Sequence, residues 1–283
     1  MYRKIGLALA FSPTFNALMA EAVRLKHAFK AELVLIHVGI KNPEKEEGFM
    51  ELLQRYHLKP AEVTIIWRQG KAAKTIIKTC KKENVDLLIA GALKHENLID
   101  YYIGSIARKI LRKAPCSILI LTEPSEKGRK IQDMVVDVDE DPLRAEVIRS
   151  GLAMAVLQKP RIIHFVKEIK LYGLTMSVMS EYSIEETSVL RKNLIYKEIK
   201  KVEKVLDEFD MGATRTNIKI ISGKSGFELR KFARQVKADL LVMGAVKKKL
   251  DIIDRLFTNK LEYIIEDIPC NLLLIKHKQA NER

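Results

Sequence analysis

The sequence predicts an α/β protein built from two consecutive copies of one domain, each a mainly parallel sheet flanked by helices. Three observations carry that prediction. A nine-residue segment recurs across the chain. Continuous apolar runs of strand length alternate with segments of helical period. The order of these elements is the same in both halves.

The repeat comes first, because missing one would misread the whole fold. Asp86-Leu87-Leu88-Ile89-Ala90-Gly91-Ala92-Leu93-Lys94 recurs as Asp239-Leu240-Leu241-Val242-Met243-Gly244-Ala245-Val246-Lys247, with six of nine residues identical at an offset of 153. Gly70-Lys71 and Gly223-Lys224 share that offset. Ala114–Leu121 matches Ile268–Ile275 at an offset of 154, including the steps Pro115-Cys116 and Pro269-Cys270. Near the start of each copy, Ile36-His37-Val38 is matched to Ile163-His164-Phe165.

In the first copy, Lys4–Ala10 is an apolar strand, and Pro13 opens a helix where its missing N–H is not needed. Leu18, Ala22, Leu25 and Phe29 follow at helical spacing. Leu33–Val38 is a buried strand, Glu46–Tyr56 a helix, Val63–Trp67 a strand and Ala72–Lys82 a helix. Leu87–Ala90 is a strand, Tyr101–Lys113 a helix and Ser117–Leu121 the last strand. Strands without polar alternation belong to parallel sheets covered on both faces. In the second copy the strands are Met134–Val138, Arg161–Val166, Asn217–Ile221, Leu240–Met243 and Leu272–Ile275. Its longest helix runs from Ile184 to Phe209, and Lys167–Ser183 is expected to be a loop. The expected domains are residues 1–123 and 131–283, joined by a polar linker over 124–130 that holds Pro124 and Gly128.

Composition narrows the function. Hydrophobic residues make up 47% and charged residues 30% of the 283, which excludes wholesale disorder. No apolar run reaches the ~18 residues that cross a membrane, and no secretory leader is visible. Cys80, Cys116 and Cys270 form no CxxC pair and are expected to be buried, reduced thiols of a cytoplasmic protein. A net charge of +14 favours anionic ligands, or simply gives a lysine-rich solvated surface. Nucleic-acid binding through that surface is the weakest reading, since aromatic residues are scarce in the basic stretches. No Ser/His/Asp, Cys/His or paired-carboxylate spacing argues for catalysis. Gly223-Lys224-Ser225 lacks the upstream glycine of a Walker loop. His37 and His164 have no recurring metal-ligand neighbours and read as half-buried structural histidines.

An open parallel sheet binds ligands beyond the carboxyl ends of its strands, where strand order reverses. The relevant loops follow Ala10, Val38 and Ala90 in the first copy, and Val138, Phe165 and Met243 in the second. The loop after Ala90 reads Gly91-x2-Lys94-x9-Gly104-Ser105. Small residues there admit a phosphate close to backbone amides, and Ser105 adds a hydroxyl. Gly91 and Gly244 also serve simply to end a strand, and Lys94 and Lys247 as surface lysines.

This arrangement resembles the universal stress protein family, whose nucleotide-binding members carry G-x2-G-x9-G-(S/T) before their last helix and a Pro-Cys or Pro-Val step into a final strand. The resemblance covers essentially the whole chain, twice. It implies tandem Rossmann-like (adenine nucleotide alpha hydrolase-like) domains with five-stranded sheets, and a cytoplasmic stress-response role. It also implies an adenine nucleotide such as ATP, with at most a nucleotide-associated Mg and at most weak ATP hydrolysis. The site residues it points to are Ala10, Ser12, Val38, Gly91, Lys94, Gly104 and Ser105 in the first copy. In the second they are Asp139, Phe165, Gly244, Lys247 and Thr258. The departures are specific. The motif's second glycine is Lys94 here, and the ribose-binding Asp expected at the end of the first strand is replaced by Ala10. Asp139 restores that Asp in the second copy, with Asp137 as the alternative, but Phe257 there replaces a motif glycine. Neither copy carries the full set, so a nucleotide-free scaffold or adaptor for a protein partner stands as the alternative. Family members pair through their last strands, which implies that Ile118–Leu121 and Leu272–Ile275 meet as an intramolecular pseudo-dimer, open to further homodimerisation.

Overall fold

A computed structural model describes residues 1–9, 14–94, 101–102, 104–169, 184–245 and 259–277. The first stretch of chain forms β1 (Lys4–Leu9), α1 (Phe15–Phe29), β2 (Glu32–Val38), α2 (Pro43–Arg55), a 3-10 turn at Pro60–Glu62, β3 (Val63–Arg68) and α3 (Ala72–Lys82). β4 (Leu87–Gly91), β5 (Leu93–Lys94), β6 (Tyr101–Tyr102), α4 (Ser105–Lys113) and β7 (Ser117–Leu121) follow. Then come β8 (Asp133–Asp137), α5 (Arg144–Gln158), β9 (Ile162–Ile169), α6 (Ile184–Leu206), β10 (Thr216–Ser222), α7 (Phe227–Gln235), β11 (Leu240–Gly244), α8 (Asn259–Glu266) and β12 (Asn271–Ile275). Two compact units result: residues 1–130 with 265–283, and residues 131–264.

In the first unit the strands lie in the order β12-β7-β4-β1-β2-β3. All neighbours are parallel except β12 and β7. Leu33, Val34, Leu35 and Ile36 are each at most 1% exposed, as a central strand covered on both faces requires. Strand order reverses between β1 and β4, because β2 and β3 add on one side and β4 and β7 on the other. The last strand of the chain belongs to this unit because it pairs antiparallel with β7, Leu272 opposite Ile120 and Leu274 opposite Ile118. That is the meeting of Ile118–Leu121 with Leu272–Ile275 implied by the resemblance. Asn271 Oδ1 fixes the register by accepting from the Thr122 amide at 2.9 Å and its hydroxyl at 3.1 Å.

The second unit holds β10-β9-β8-β11, all parallel, with the reversal between β8 and β11. The recurrent aspartate that opens the repeat has the same task in both units. Asp86 accepts the amides of Arg3 at 2.8 Å and Lys4 at 3.1 Å, and Asp239 accepts those of Gln132 at 2.7 Å and Asp133 at 3.2 Å. Each ties the start of the fourth strand of its unit to the start of the first, capping amides that the ladder leaves open.

Several boundaries differ from the sequence expectation by a residue or more, and three of them bear on the site. The helix expected from Glu46 begins at Pro43, because Asn42 Oδ1 accepts the Lys45 amide at 3.0 Å and proline suits the first helical position. The helix expected from Tyr101 begins at Ser105. Tyr101 and Tyr102 instead pair antiparallel with Lys94 and Leu93, so the motif loop carries a small hairpin. β9 runs on to Ile169, which takes Lys167 and Glu168 out of the expected loop and into the sheet.

Candidate functional site

The strand registers align the two units. Leu87 pairs with Ile5 and Leu240 with Met134, so Ala8 and Asp137 occupy equivalent places, two residues before the matched Ala10 and Asp139 of the sequence. The next strands correct another match. His37 extends the register beside Leu9, whereas His164 pairs with Val135, three positions earlier. The counterpart of His37 is Lys167, and that of Val38 is Glu168. Phe165 lies mid-strand against Val136 and Ile218, not at a strand end, and is 1% exposed. The apolar triplets drew the eye to the wrong frame, because Lys167-Glu168 interrupts the hydrophobic run where the strand in fact continues.

At the first unit's reversal point, Ala10 and Ser12 lie outside the described residues. The strand ends there carry Leu9, His37-Val38 and Ala90-Gly91, none of them acidic. The His37 Nδ1–H donates to the Leu9 carbonyl at 3.2 Å, and burial holds this imidazole below its ordinary pKa, hence neutral at pH 7. His37, Phe49 and Trp67 stack edge to face with centroids 4.9 to 6.0 Å apart. Val38 ends β2 half-buried beside Arg68. A Cβ on Gly91 would lie 3.3 Å from Leu18 Cδ1, so this glycine lets α1 settle against the strand end. Lys94 is in β5, in the hairpin that leads to α4. Gly104 is the N-cap of α4 with no side-chain cap bond, Ser105 is the exposed first helical residue, and no acidic residue occupies the first turn. The positive end of the helix dipole is thus left to the backbone amides and the Ser105 hydroxyl.

The second unit's reversal point is built of charges. Lys260, on the first turn of α8, reaches Asp137 Oδ2 at 2.8 Å, Asp139 Oδ2 at 2.7 Å and Glu168 Oε2 at 3.1 Å. Asp139 Oδ1 also accepts the Glu168 amide at 2.7 Å. The Glu168 carboxylate is gripped from the β10–α7 turn by the Ser225 hydroxyl at 2.8 Å and the Gly226 amide at 3.0 Å. Lys260 is 7% and Asp137 5% exposed. Burial pushes the Asp137 carboxyl up to about 7, against the opposing pull of Lys260. For Lys260, burial acts downward, but the charges of Asp137, Asp139 and Glu168 outweigh it and raise the ammonium well above its ordinary range. A second cluster adjoins. Lys167 donates to Glu140 and Glu198 at 2.5 Å each, and these bonds outweigh burial to keep it charged. Gly244 faces Leu143 Cβ at 3.3 Å and Asp141 Oδ2 at 3.4 Å, counted from an added Cβ. Like Gly91 it seats the unit's first helix, but here a carboxylate stands beside it. Lys247 and Thr258, with Phe257, lie outside the described residues.

Asp139 thus stands where the sequence expected it, already engaged on both oxygens, while Lys260, Glu168 and Ser225 are partners that the sequence reading missed. The signal available was Asp137-Val138-Asp139 ending one apolar strand and Lys167-Glu168 ending its neighbour: buried carboxylates need a cation. Two clefts of about 490 and 700 Å³ in this unit are lined near Asp210–Gly212, toward the amino ends of β9 and β10 and away from these residues. Among the described residues no His, Cys, Asp and Glu group is arranged to hold a metal, and no helix is long and apolar enough to cross a membrane.

Comparison with known proteins follows the same division. The chain is 21% identical over 229 residues to the universal stress protein E homolog of Haemophilus influenzae, covering 77% of this chain and 70% of that one. A universal stress protein of Methanothermobacter thermautotrophicus is 29% identical over 140 residues, 42% of this chain and 94% of its own. Among solved structures, a putative universal stress protein from Pseudomonas aeruginosa superposes with a TM-score of 0.74 at 18% identity, covering 98% of this chain and 94% of the other. One from Archaeoglobus fulgidus gives 0.64 at 13% identity over 96% and 98%. These two likenesses concern the fold. The model of the universal stress protein family matches residues 39–122 and 130–276, most of the chain and both units, and the chain belongs to that family.

Proposed function

We propose that this protein is a nucleotide-responsive regulator of the stress-response type, and that its first unit holds one adenine nucleotide at the β1–β4 reversal point. The observation that carries this reading is the contrast in charge between the two reversal points. In the first unit the strand ends are neutral, and α4 opens at Gly104-Ser105 without an acidic residue or a side-chain cap. The α4 helix itself bears Arg108, Lys109, Arg112 and Lys113. A polyphosphate meets amide donors, a hydroxyl and a positive field there. Ala10 supplies no carboxylate for the ribose, so we expect affinity to come from phosphate contacts and to respond to Mg. Bound nucleotide would change the surface around the β5–β6 hairpin, which is the face offered to a protein partner in the cytoplasm.

The test is a thermal-shift and calorimetric titration with ATP, ADP and AMP in Mg. A ligand that binds only the native state raises Tm, by about 2.7 kcal/mol of stabilisation at a hundred times Kd. Gly104→Phe, which copies Phe257 of the second unit, should abolish the shift. No shift at millimolar nucleotide would refute the reading and favour a nucleotide-free scaffold, to which the closed second unit already lends support.

A further inference from the structure

The second unit has a self-made occupant at its reversal point. A nucleotide there would need donors for its phosphates and a free Asp139 for its ribose. It would find instead Asp137, Asp139 and Glu168 around a single ammonium, with Asp141 beside Gly244. Among the described residues, these three carboxylates when ionised outweigh the one lysine they share by two charges, and by one when a carboxyl is protonated. Lys260 is engaged by all three, at 2.7 to 3.1 Å. The backbone closes over it as well. A Cβ on Gly226 would fall 2.4 Å from the Lys260 carbonyl oxygen, so the β10–α7 turn rests directly on the residue that carries the ammonium.

We propose that Lys260 is an internal ligand and the specificity-determining residue of the second unit: it latches the first turn of α8 onto the ends of β8 and β9 and closes that reversal point to anionic nucleotides. The family's site therefore survives as a structural joint in this unit, and the chain takes at most one nucleotide rather than two. The proposal rests on reading the strand ends as the ligand face, but it does not need the first unit to bind. Each part of the joint has a named role. Lys260 supplies the charge, and Asp137 from β8, Asp139 two residues beyond it and Glu168 from β9 receive it. Ser225 and Gly226 hold Glu168 in place. Asp141 adds negative charge at Gly244.

The test uses the full chain and two readouts. Hydrogen exchange compares wild type with Lys260→Met and, as a milder variant that should fold in any case, Ser225→Ala. Removing the ammonium should lower amide protection at least tenfold over residues 259–266 and 224–228, more at pH 8 than at pH 5, where Asp137 keeps its proton. Ser225→Ala should give a smaller increase in the same two segments. Unchanged protection in both variants would overturn the latch. The second readout is titration of Gly104→Phe with ATP and Mg. The latch predicts no binding. Saturable binding of one nucleotide that Asp139→Ala removes would show the second unit open and overturn the proposal. If wild type binds no nucleotide, the reading of the first unit fails, and the latch is then decided by exchange alone.

Discussion

Gly226→Ala is a sharp probe of how the second unit is held together, because one added methyl meets backbone on three sides. Its Cβ would lie 2.4 Å from the Lys260 carbonyl oxygen, 2.7 Å from its Cα and 2.9 Å from its carbonyl carbon. None of these atoms ends a flexible side chain, so either the β10–α7 turn or the first turn of α8 must move. Gly226 also sits at φ 81° and ψ −37°, outside the left-handed well that other residues visit. Backbone strain of this kind costs about 1–3 kcal/mol and overpacking a further 1–3 kcal/mol. The expected loss is about 2–6 kcal/mol, a large share of the stability of an ordinary domain. Gly212→Ala is the matched control. It also has a positive φ, 54°, but nothing lies within 4 Å of its added Cβ. There only conformational strain applies, partly offset by the smaller entropy of the unfolded chain, and the expected change is within about 1 kcal/mol. Urea unfolding followed by far-UV circular dichroism measures both. If Gly226→Ala is no more destabilising than Gly212→Ala, the contact between this turn and α8 is not what the geometry says it is.

Two further outcomes follow from the titrating groups. Asp137 is raised to about 7, so the folded chain keeps a proton that the unfolded chain releases above its ordinary 3.8. Its contribution to stability therefore falls as pH rises from about 4 to about 7. Asp137→Asn should match wild type near pH 4 and gain relative to it at pH 8, read as the difference in Tm at the two pH values; an equal difference at both would refute the assignment. His37 has the opposite sense of coupling, since its folded pKa is lowered and stability is lost as pH falls below 6.5. Trp67, the one tryptophan in the chain, lies 4.9 Å from this ring, so its fluorescence should report protonation with a midpoint below 6.5. A midpoint at or above 6.5, or an unchanged titration in His37→Gln, would show that burial does not govern this ring.

Much of the fold was legible because it is written in local periodicity and repetition. Leu87–Ala90 and Leu240–Met243 are apolar throughout, and only a doubly covered strand uses such a run. The boundaries that moved were set by single polar groups. Asn42 starts α2 earlier than the apolar period suggests, and Tyr101, expected to open a helix, pairs as a strand with Lys94 of the motif loop. The site was less legible, because it depends on groups far apart in sequence. Asp139 announced itself through the family motif, yet Lys260 lies 121 residues further on and was indistinguishable from any other of the 50 basic residues. Matching Ile163-His164-Phe165 to Ile36-His37-Val38 favoured apolar identity over strand register. The ladder decides otherwise, and with it the counterpart of Val38 becomes Glu168.

That single correction explains why the two units differ in chemistry while sharing a frame. The same register places Ala8 and Val38 in one unit where Asp137 and Glu168 stand in the other. Neutral side chains leave a strand end indifferent to charge. Buried Asp137, with Asp139 and Glu168 half-buried beside it, calls for compensation, since an unpaired buried charge costs several kcal/mol. Lys260 supplies that compensation from within the chain, and the hydroxyl of Ser225 and the amide of Gly226 satisfy the acceptor sites that remain on Glu168. Once the carboxylates were present, a cation became obligatory, and a tethered lysine provides one at every pH where the protein folds. The acidic strand ends and the buried lysine are thus one feature, each offsetting the charge of the other.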